Sequence, residues 1–373
     1  MKLTSLILSN DDPNAIRILV LTGIAWLPLM VLTLIDGTFY TSEITIPFIK
    51  DVTPFVRGLI VIPMLVMADN LIEPMMARVL KYLKVSGVVP DSEKECLSSA
   101  AEKMTRQMNS KPLQIILVVL VLTVSWVLQS DYVDMWKEDG VTSWMLELEN
   151  GGVDETLAGS WFLLVTSPLV SFLLYRWMWR FIIWSIFLYR VSRMKLELYA
   201  SHTDLAAGLG MIGVNHALFS ILFLIMATLV SSELAGNLLY EGDKLVDARQ
   251  IVVVFIAISM VVLFIPLLFF TNKLIHVKHK ALVTYGALQN QLSGDFHKHW
   301  IKDQANDLVD SMQPSAMADY SAVYEVVSNM RVVPINMKTI VVVAALILLP
   351  FLPLALTESS IWEILQMIGG SLF

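Results

Sequence analysis

The sequence predicts an all-α protein, an integral membrane helical bundle with about seven transmembrane helices. Apolar residues make up 56% of its 373 positions and charged residues only 16%, and its mean hydropathy is +0.67. This balance is typical of a chain that lies in lipid. Seven stretches approach the roughly 20 apolar residues that a helix needs to cross a hydrocarbon core. The basic residues are also concentrated in alternate connecting segments, as in multi-pass membrane proteins.

The predicted spans are separated by polar or charged connections. The segment 74–111 contains seven basic residues, whereas the acidic segment 131–159 contains only one, Lys137. Because basic loops stay on the cytoplasmic side of a membrane, this contrast predicts a cytoplasmic N-terminus and a periplasmic C-terminus. The spans are expected at 16–35, 53–72, 112–130, 161–188, 211–231, 250–271 and 339–357.

Residues 1–373 are predicted to form one integral membrane domain, because no repeat or flexible linker divides the sequence. Four segments are expected outside the bilayer. They are a cytoplasmic loop at 74–111, an acidic periplasmic loop at 131–159, a cytoplasmic helical segment at 272–338 and a periplasmic interfacial helix at 358–373. The segment 272–338 has apolar residues at helical spacing, namely Leu282, Tyr285, Leu288 and Leu292.

Two pairs of opposite charges fall inside the second and fourth predicted spans. Asp69 and Glu73 are four residues apart, as are Arg176 and Arg180, so each pair lies on one helix face. If both spans run inward, Asp69 and Arg176 lie about 24 and 22 Å from the outer edge. Glu73 and Arg180 lie about 30 and 28 Å from it. The matched depths predict contact between acids and arginines, either as a structural joint or as a polar vestibule that binds an ion.

A third arginine, Arg57, lies in the second span, about 6 Å from the outer edge. A long basic side chain at that depth reaches the lipid headgroups easily. We prefer this interpretation for Arg57 to a role in lining a pore.

A short loop after the fourth span contains His202 and Asp204 and leads into the glycine-rich run 208–213. The run matches the G-x-G-x-x-G fingerprint of dinucleotide sites, but here it opens a membrane span instead of following a strand. We interpret its small residues as a place of close helix approach. Thr203 or Asp204 is expected to cap the helix that follows.

All six histidines are expected at or near the cytoplasmic face. His202 is expected either to hydrogen-bond within its loop or to reach toward Arg176 and Arg180. Imidazole binds divalent metals and titrates near neutral pH, so metal binding and proton sensing are both conceivable roles. No metalloprotein ligand spacing accompanies the histidines, and a solvated surface is the simpler interpretation. They are His202, His216, His276, His279, His297 and His299.

Scattered blocks resemble an uncharacterised family of bacterial multi-pass inner-membrane proteins. The fourth span has an Arg-Trp-x-Trp-Arg core at 176–180, and the loop 202–210 reads HTDLAAGLG where the family has His-Pro-Asp-Arg-Ala-Gly-Gly-Leu-Gly. The chain departs from that loop at Leu205 and Ala207, which replace an arginine and a glycine. The resemblance implies a fold and a bacterial inner-membrane location, and no activity. The other matching positions are Asp51, Val56, Arg57, Leu59, Pro63, Ala318, Asp319, Met330, Arg331, Pro334, Leu349 and Pro350.

Charges inside proline-interrupted spans favour a channel or transporter-like protein. A small anion is the expected cargo, because two arginines outweigh the loop carboxylate unless the span carboxylates cancel them. The alternative is a non-transporting sensor or signalling protein that recruits a cytoplasmic partner through 272–338. The candidate ion-binding or ion-pair residues are Arg57, Asp69, Glu73, Arg176, Arg180, His202 and Asp204.

The remaining expectations concern activity and partners. No serine or cysteine nucleophile stands beside a base, so the sequence does not predict an enzyme. The single cysteine, Cys96, excludes an intrachain disulfide and a thiolate metal site. We expect no metal, cofactor or nucleic acid to be bound. The expected partners are the lipid bilayer, further copies of the chain in a homo-oligomer, and a cytoplasmic protein.

Overall fold

The computed structural model describes residues 13–124, 142–149, 152–241, 245–302 and 313–355. Within these residues seven helical segments are long and apolar enough to cross a membrane, which confirms the predicted all-α bundle of about seven apolar helices. Six of them are α1 (Pro13–Ile35), α2 (Val52–Val85), α5 (Leu157–Arg193), α6 (Gly210–Tyr240), α7 (Leu245–Leu268) and α10 (Met337–Leu354). The remaining segment, Asp91–Val124, comprises the polar α3 (Lys94–Met108) and the apolar α4 (111–124). Two further helices are more polar, α8 (Thr271–Phe296) and α9 (Gln313–Ser328).

Two helices are much longer than the predicted spans. Helix α2 continues beyond 72 to Val85, and α5 continues beyond 188 to Arg193. Since α3 follows shortly after α2, most of the predicted loop 74–111 is helical. The basic residues of that segment therefore project from helices, which hydropathy alone did not indicate.

One small sheet interrupts the otherwise helical fold. Strands β1 (Leu146–Glu149) and β2 (Gly152–Glu155) pair antiparallel within the predicted periplasmic segment. Trp144 precedes the hairpin, is fully buried, and donates an indole N–H bond to Asp51 at 2.9 Å. This anchor holds the hairpin against the start of α2. Residues 131–141 and the predicted interfacial helix 358–373 lie outside the described residues.

Helices α2 and α5 pack side by side in parallel. The bonds from Arg57 to Ser167, from Trp177 to the Leu65 carbonyl and from Arg180 to Asp69 join residues 110, 112 and 111 positions apart. A nearly constant separation means that the two helices run in the same direction with matched rise. This is the relative direction that the predicted alternation of spans requires.

Helix α6 packs against α2 in the opposite direction. Arg57 pairs with Glu233 near one end of α2, whereas the Tyr82 hydroxyl donates to the Gly208 carbonyl at 2.7 Å near the other. Between them Arg78 donates to Asn215 at 3.3 Å. Helices α2, α5 and α6 thus surround the main core, and they carry Arg57, Asp69, Glu73, Arg176, Arg180 and Glu233.

A helical hairpin continues from α7. After a break at 269–270, α8 packs against α9, and the rings of Tyr285 and Tyr320 stack with centroids 6.2 Å apart. The Tyr320 hydroxyl also donates to the Tyr285 carbonyl at 2.9 Å. The helix predicted from the apolar spacing in 272–338 is therefore present.

Candidate functional site

The four charges predicted to meet do form one cluster, which we call the charge cluster (Asp69, Glu73, Arg176 and Arg180). The Arg180 guanidinium donates to Asp69 at 2.9 Å and to Glu73 at 2.8 Å. Arg176 approaches the same Asp69 oxygen at 3.8 Å. The predicted contact is confirmed, but the pairing differs: Arg180 bonds both acids, and Arg176 shares one of them. Arg180 lies between the acids because its fork of donors spans an i, i+4 pair.

The charge cluster is close to electrically neutral. The Arg180 side chain is only 7% exposed and also lies over the Trp177 ring, 4.8 Å from its centroid. Two carboxylates face two guanidinium groups, and the further cation nearby, Arg17 at the start of α1, is exposed to solvent and therefore weakly felt. The arginines do not supply a free positive charge. Their geometry favours the structural joint over the anion vestibule.

The preferred interpretation of Arg57 was wrong. Its side chain is 19% exposed, turns inward, and forms an ion pair with Glu233 of α6. It also donates to the Ser167 hydroxyl at 3.1 Å and lies 5.2 Å from the centroid of the Phe162 ring. A charge-assisted bond to a nearby carboxylate is stronger than solvation at a headgroup surface, so the side chain remains within the bundle.

Arg57 and Glu233 line a cavity of about 380 Å³ between α2, α5 and α6, which we call the outer cavity. A volume of this size is typical of small-molecule sites. Its walls are mostly apolar. In the described part of the chain, one arginine and two carboxylates line it, which gives a formal charge of −1, and the Glu233 side chain remains 47% exposed. The polar lining residues are Asp51, Thr53, Arg57, Ser167, Ser171, Tyr175, Glu233, Asn237 and Tyr240.

Three π-helical turns meet at the outer cavity. They are Val56–Val61 in α2, Phe162–Thr166 in α5 and Asn237–Glu241 at the end of α6. Each contributes lining residues, among them Arg57 and Tyr240. A π turn is rare and is frequently found at functional sites, although a further one in this protein, His297–Lys302, lies away from the cavity. Their convergence distinguishes this cavity from an ordinary packing gap.

A layer of apolar residues separates the outer cavity from the charge cluster. Arg57 and Asp69 are twelve residues apart on α2, which corresponds to about 18 Å. Between them Trp177 is 1% exposed, and its indole N–H donates to the Leu65 carbonyl at 2.9 Å. This hydrogen bond joins α2 to α5 at a level between the outer cavity and the charge cluster.

His202 and Asp204 organise their own loop. The Asp204 carboxylate accepts backbone N–H bonds from Ala206, Gly208 and Gly210 at 2.8, 3.1 and 2.8 Å, the last at the start of α6. Its other neighbour is His202 Nδ1 at 2.9 Å. Among the described residues, no hydrogen bond or ion pair joins this loop to Arg176 or Arg180. The structure therefore does not assemble the predicted vestibule of these four residues.

The loop is fixed from outside by the segment that precedes α10. Arg331 donates its backbone N–H to the Leu205 carbonyl at 2.7 Å and its guanidinium to the Asp204 carbonyl at 2.5 Å. Leu205 and Ala207 both have a φ of 55°, in the left-handed region. Both residues therefore occupy strained positions, and glycine would adopt either conformation without strain.

The glycine-rich run allows close approach, as predicted, but the partner is a loop and not a helix. A Cβ on Gly213 would lie 1.5 Å from the Pro334 carbonyl oxygen. The structure thus joins the 202–213 block to the 330–334 block.

Sequence reasoning missed two functional or structural partners. Glu233 was not singled out, because it follows the predicted span 211–231, whereas in the structure α6 continues to Tyr240 and Glu233 pairs with Arg57. His216 was expected near the surface, but it is fully buried, and its ring accepts from the Trp184 indole N–H at 3.1 Å. Its other nitrogen bonds the Leu263 carbonyl at 2.6 Å. The His216 ring thus connects α5, α6 and α7, and no local sequence signal indicates this connection.

Metal binding finds no support among the histidines. Within the described residues, no group of three or more histidine, cysteine or acidic side chains is placed to hold a metal ion. No protein-family model, curated protein or solved structure matches the chain.

Proposed function

We propose that the protein is a seven-span, multi-pass protein of the bacterial inner membrane that takes a small cationic solute into the outer cavity and transports it. The N-terminus lies in the cytoplasm and the C-terminus in the periplasm. In this orientation the outer cavity faces the periplasm and the charge cluster lies toward the cytoplasm. The proposal rests on one observation above all: three π-helical turns and the Arg57–Glu233 ion pair converge on one cavity.

The charge of the outer cavity favours a cation over the anion expected from the sequence. The prediction of an anion depended on free guanidinium groups at Arg176 and Arg180. In the structure these groups face carboxylates. Among the described residues that line the outer cavity, the one guanidinium is matched by Glu233, and Asp51 adds a second negative charge. A half-exposed carboxylate beside apolar walls suits a small ammonium compound or a monovalent cation.

Transport requires the Trp177–Leu65 contact to open. The π turns in α2 and α5 lie on the periplasmic side of that contact, and π turns are frequent at functional sites. A shift of either turn along its helix would move Trp177 relative to Leu65. The charge cluster beyond it then joins α2 to α5 and keeps their cytoplasmic halves together.

Proteoliposomes test this proposal. Wild-type protein should conduct or exchange methylammonium, sodium or potassium, and not chloride, and Glu233→Gln should change that flux. Asp247→Asn is the matched control, because Asp247 is exposed at the same end of the bundle and does not line the cavity. Gel filtration verifies that both variants are folded. Absence of flux for all four ions under either sign of membrane potential would refute transport.

The second candidate is a non-transporting protein that recruits a partner, and the α8–α9 hairpin is the observation that favours it. Val283 and Ile301 are 74% and 59% exposed on this hairpin, which the proposed topology places in the cytoplasm. A cytoplasmic protein or a second copy of the chain would bind there. Cross-linking from cysteines introduced at 283, with retained ion flux as a separate readout, distinguishes this candidate from transport.

A further inference from the structure

A second depression lies at the opposite end of α5 from the outer cavity. It has a volume of about 390 Å³ and lies between α3 and the end of α5. We call it the basic groove. Its residues that bear on the argument are Glu93, Cys96, Lys103, Tyr189, Arg190 and Arg193.

The basic groove has an excess of unpaired positive charge. Among the described residues, the side chains of Lys103, Arg190 and Arg193 form no ion pair and no hydrogen bond. The only carboxylate that lines the groove is Glu93. Lys273 is close to Arg193: burial lowers the pKa of the Lys273 ammonium, and the positive charge of Arg193 lowers it further. Glu93 opposes this effect on Lys273, but one carboxylate against four cations leaves the region with a formal excess of positive charge among the described residues.

An exposed apolar strip leads away from the groove along α5. Ile182, Ile186 and Tyr189 are 45%, 37% and 49% exposed and are spaced four and three residues apart, so they share one helix face. Tyr189 lines the groove itself and packs edge-on against Phe269, with ring centroids 5.3 Å apart. A phenol ring between apolar and charged residues is typical of the boundary between lipid and water.

We propose that the basic groove binds the phosphate headgroup of an anionic phospholipid, with an acyl chain along Ile182, Ile186 and Tyr189. This inference rests on the proposed membrane placement and is independent of transport. Arg190 and Arg193 would donate to the phosphate oxygens, and Lys103 would contribute from α3. Basic pockets between helices on the cytoplasmic side of a membrane bind anionic lipids by this combination of charge and apolar contact.

A neighbouring depression on the other side of α3 provides the comparison. It is lined by Lys84 and Arg106 together with Glu102, but no large apolar residue lines it. It therefore offers a similar surface charge without a path for an acyl chain. Lys84→Gln/Arg106→Gln removes as much charge from the same end of the bundle as Arg190→Gln/Arg193→Gln does from the groove.

Cys96 is a built-in reporter, because it is the one cysteine of the sequence and lines the basic groove. Protein in nanodiscs of neutral phosphatidylcholine should react with a water-soluble maleimide faster than protein in discs that also contain phosphatidylglycerol. The expected slowing is about ten-fold or more, given about 1 kcal/mol per basic residue near an anionic lipid. The slowing should persist in Lys84→Gln/Arg106→Gln and be lost in Arg190→Gln/Arg193→Gln.

Three results would overturn the lipid site. The first is that phosphatidylglycerol does not slow maleimide labelling of Cys96 in wild type. The second is equal slowing in both double variants, which would report only the surface potential. The third is that soluble glycerol phosphate slows labelling equally in neutral discs, which would indicate a water-soluble phosphate ester. Protein that does not enter the discs would refute the membrane placement, and the lipid site with it. If the lipid slows Cys96 labelling as expected but no ion flux is found, only the transport proposal is refuted.

Discussion

The indole N–H of Trp184 donates to Nδ1 of His216 at 3.1 Å, so that this nitrogen must be unprotonated. Nε2 therefore carries the proton and donates to the Leu263 carbonyl at 2.6 Å. A neutral imidazole thus bridges α5, α6 and α7 in the core. Since His216 is fully buried, both partners would be left without a hydrogen bond if the ring were removed.

We predict that His216→Ala lowers the free energy of unfolding by at least about 2 kcal/mol, because an unsatisfied buried donor and acceptor each cost about 1–3 kcal/mol. His216→Gln should cost less, since an amide both accepts and donates. Thermal unfolding in detergent measures the difference. Equal stability of the alanine variant and wild type would contradict the bridge.

Arg180→Ala is predicted to destabilise the bundle by about 3–5 kcal/mol, because it leaves the carboxylate of Asp69 buried without its main partner. Glu73→Gln should cost less than about 1 kcal/mol, since the Glu73 side chain is 52% exposed and water replaces the lost bond. Denaturant titration of the two purified variants tests this order. The structural joint is disproved if Glu73→Gln proves the more damaging change.

Gly213→Ala should destabilise the protein by about 3 kcal/mol or more, because its Cβ would overlap the Pro334 carbonyl. Gly236→Ala is the matched control within the same long helix, with nothing within 4 Å of the added Cβ. The control should be neutral or slightly stabilising, since alanine favours helix over glycine by about 1 kcal/mol. Similar melting temperatures for both variants would argue against the close contact of α6 with the 330–334 segment.

Trp177→Ala is expected to raise cation leak through proteoliposomes, because it removes the ring that separates the outer cavity from the charge cluster. Trp179→Ala provides a control of equal size. The Trp179 indole points to another helix, where it donates to the Gln107 carbonyl at 3.3 Å. Equal leak from both variants would mean that the leak comes from general destabilisation of the protein and not from loss of the Trp177 ring.

Cys96 should be protected from a membrane-impermeant maleimide in intact cells and react after permeabilisation, since the proposed topology places α3 in the cytoplasm. A cysteine at Ser42, introduced with Cys96→Ser, should show the opposite behaviour. Both positions are exposed in the structure, so access depends on the side of the membrane. Labelling of Cys96 from outside would reverse the orientation.

Prediction from the sequence was most successful where the determinants are local. The seven apolar helices follow from composition and length, because a helix satisfies its backbone within itself. The charge cluster followed from a constant rise of 1.5 Å per residue, which places Asp69 level with Arg176 and Glu73 level with Arg180 once the direction of each helix is known. Asp204 does accept the Gly210 N–H at the start of α6, but from within the loop, since the residue at the N-cap position is Leu209.

The tertiary structure alone decided which of several possible partners each group contacts. Rise along a helix says nothing of rotation about it, so it could not reveal that Arg180 bonds both acids or that Arg57 faces Glu233 instead of lipid. The π turns that shape the outer cavity arise from packing among three helices and have no sequence period. The contact of Gly213 with Pro334 joins segments more than a hundred residues apart, and only folding brings their backbones within touching distance.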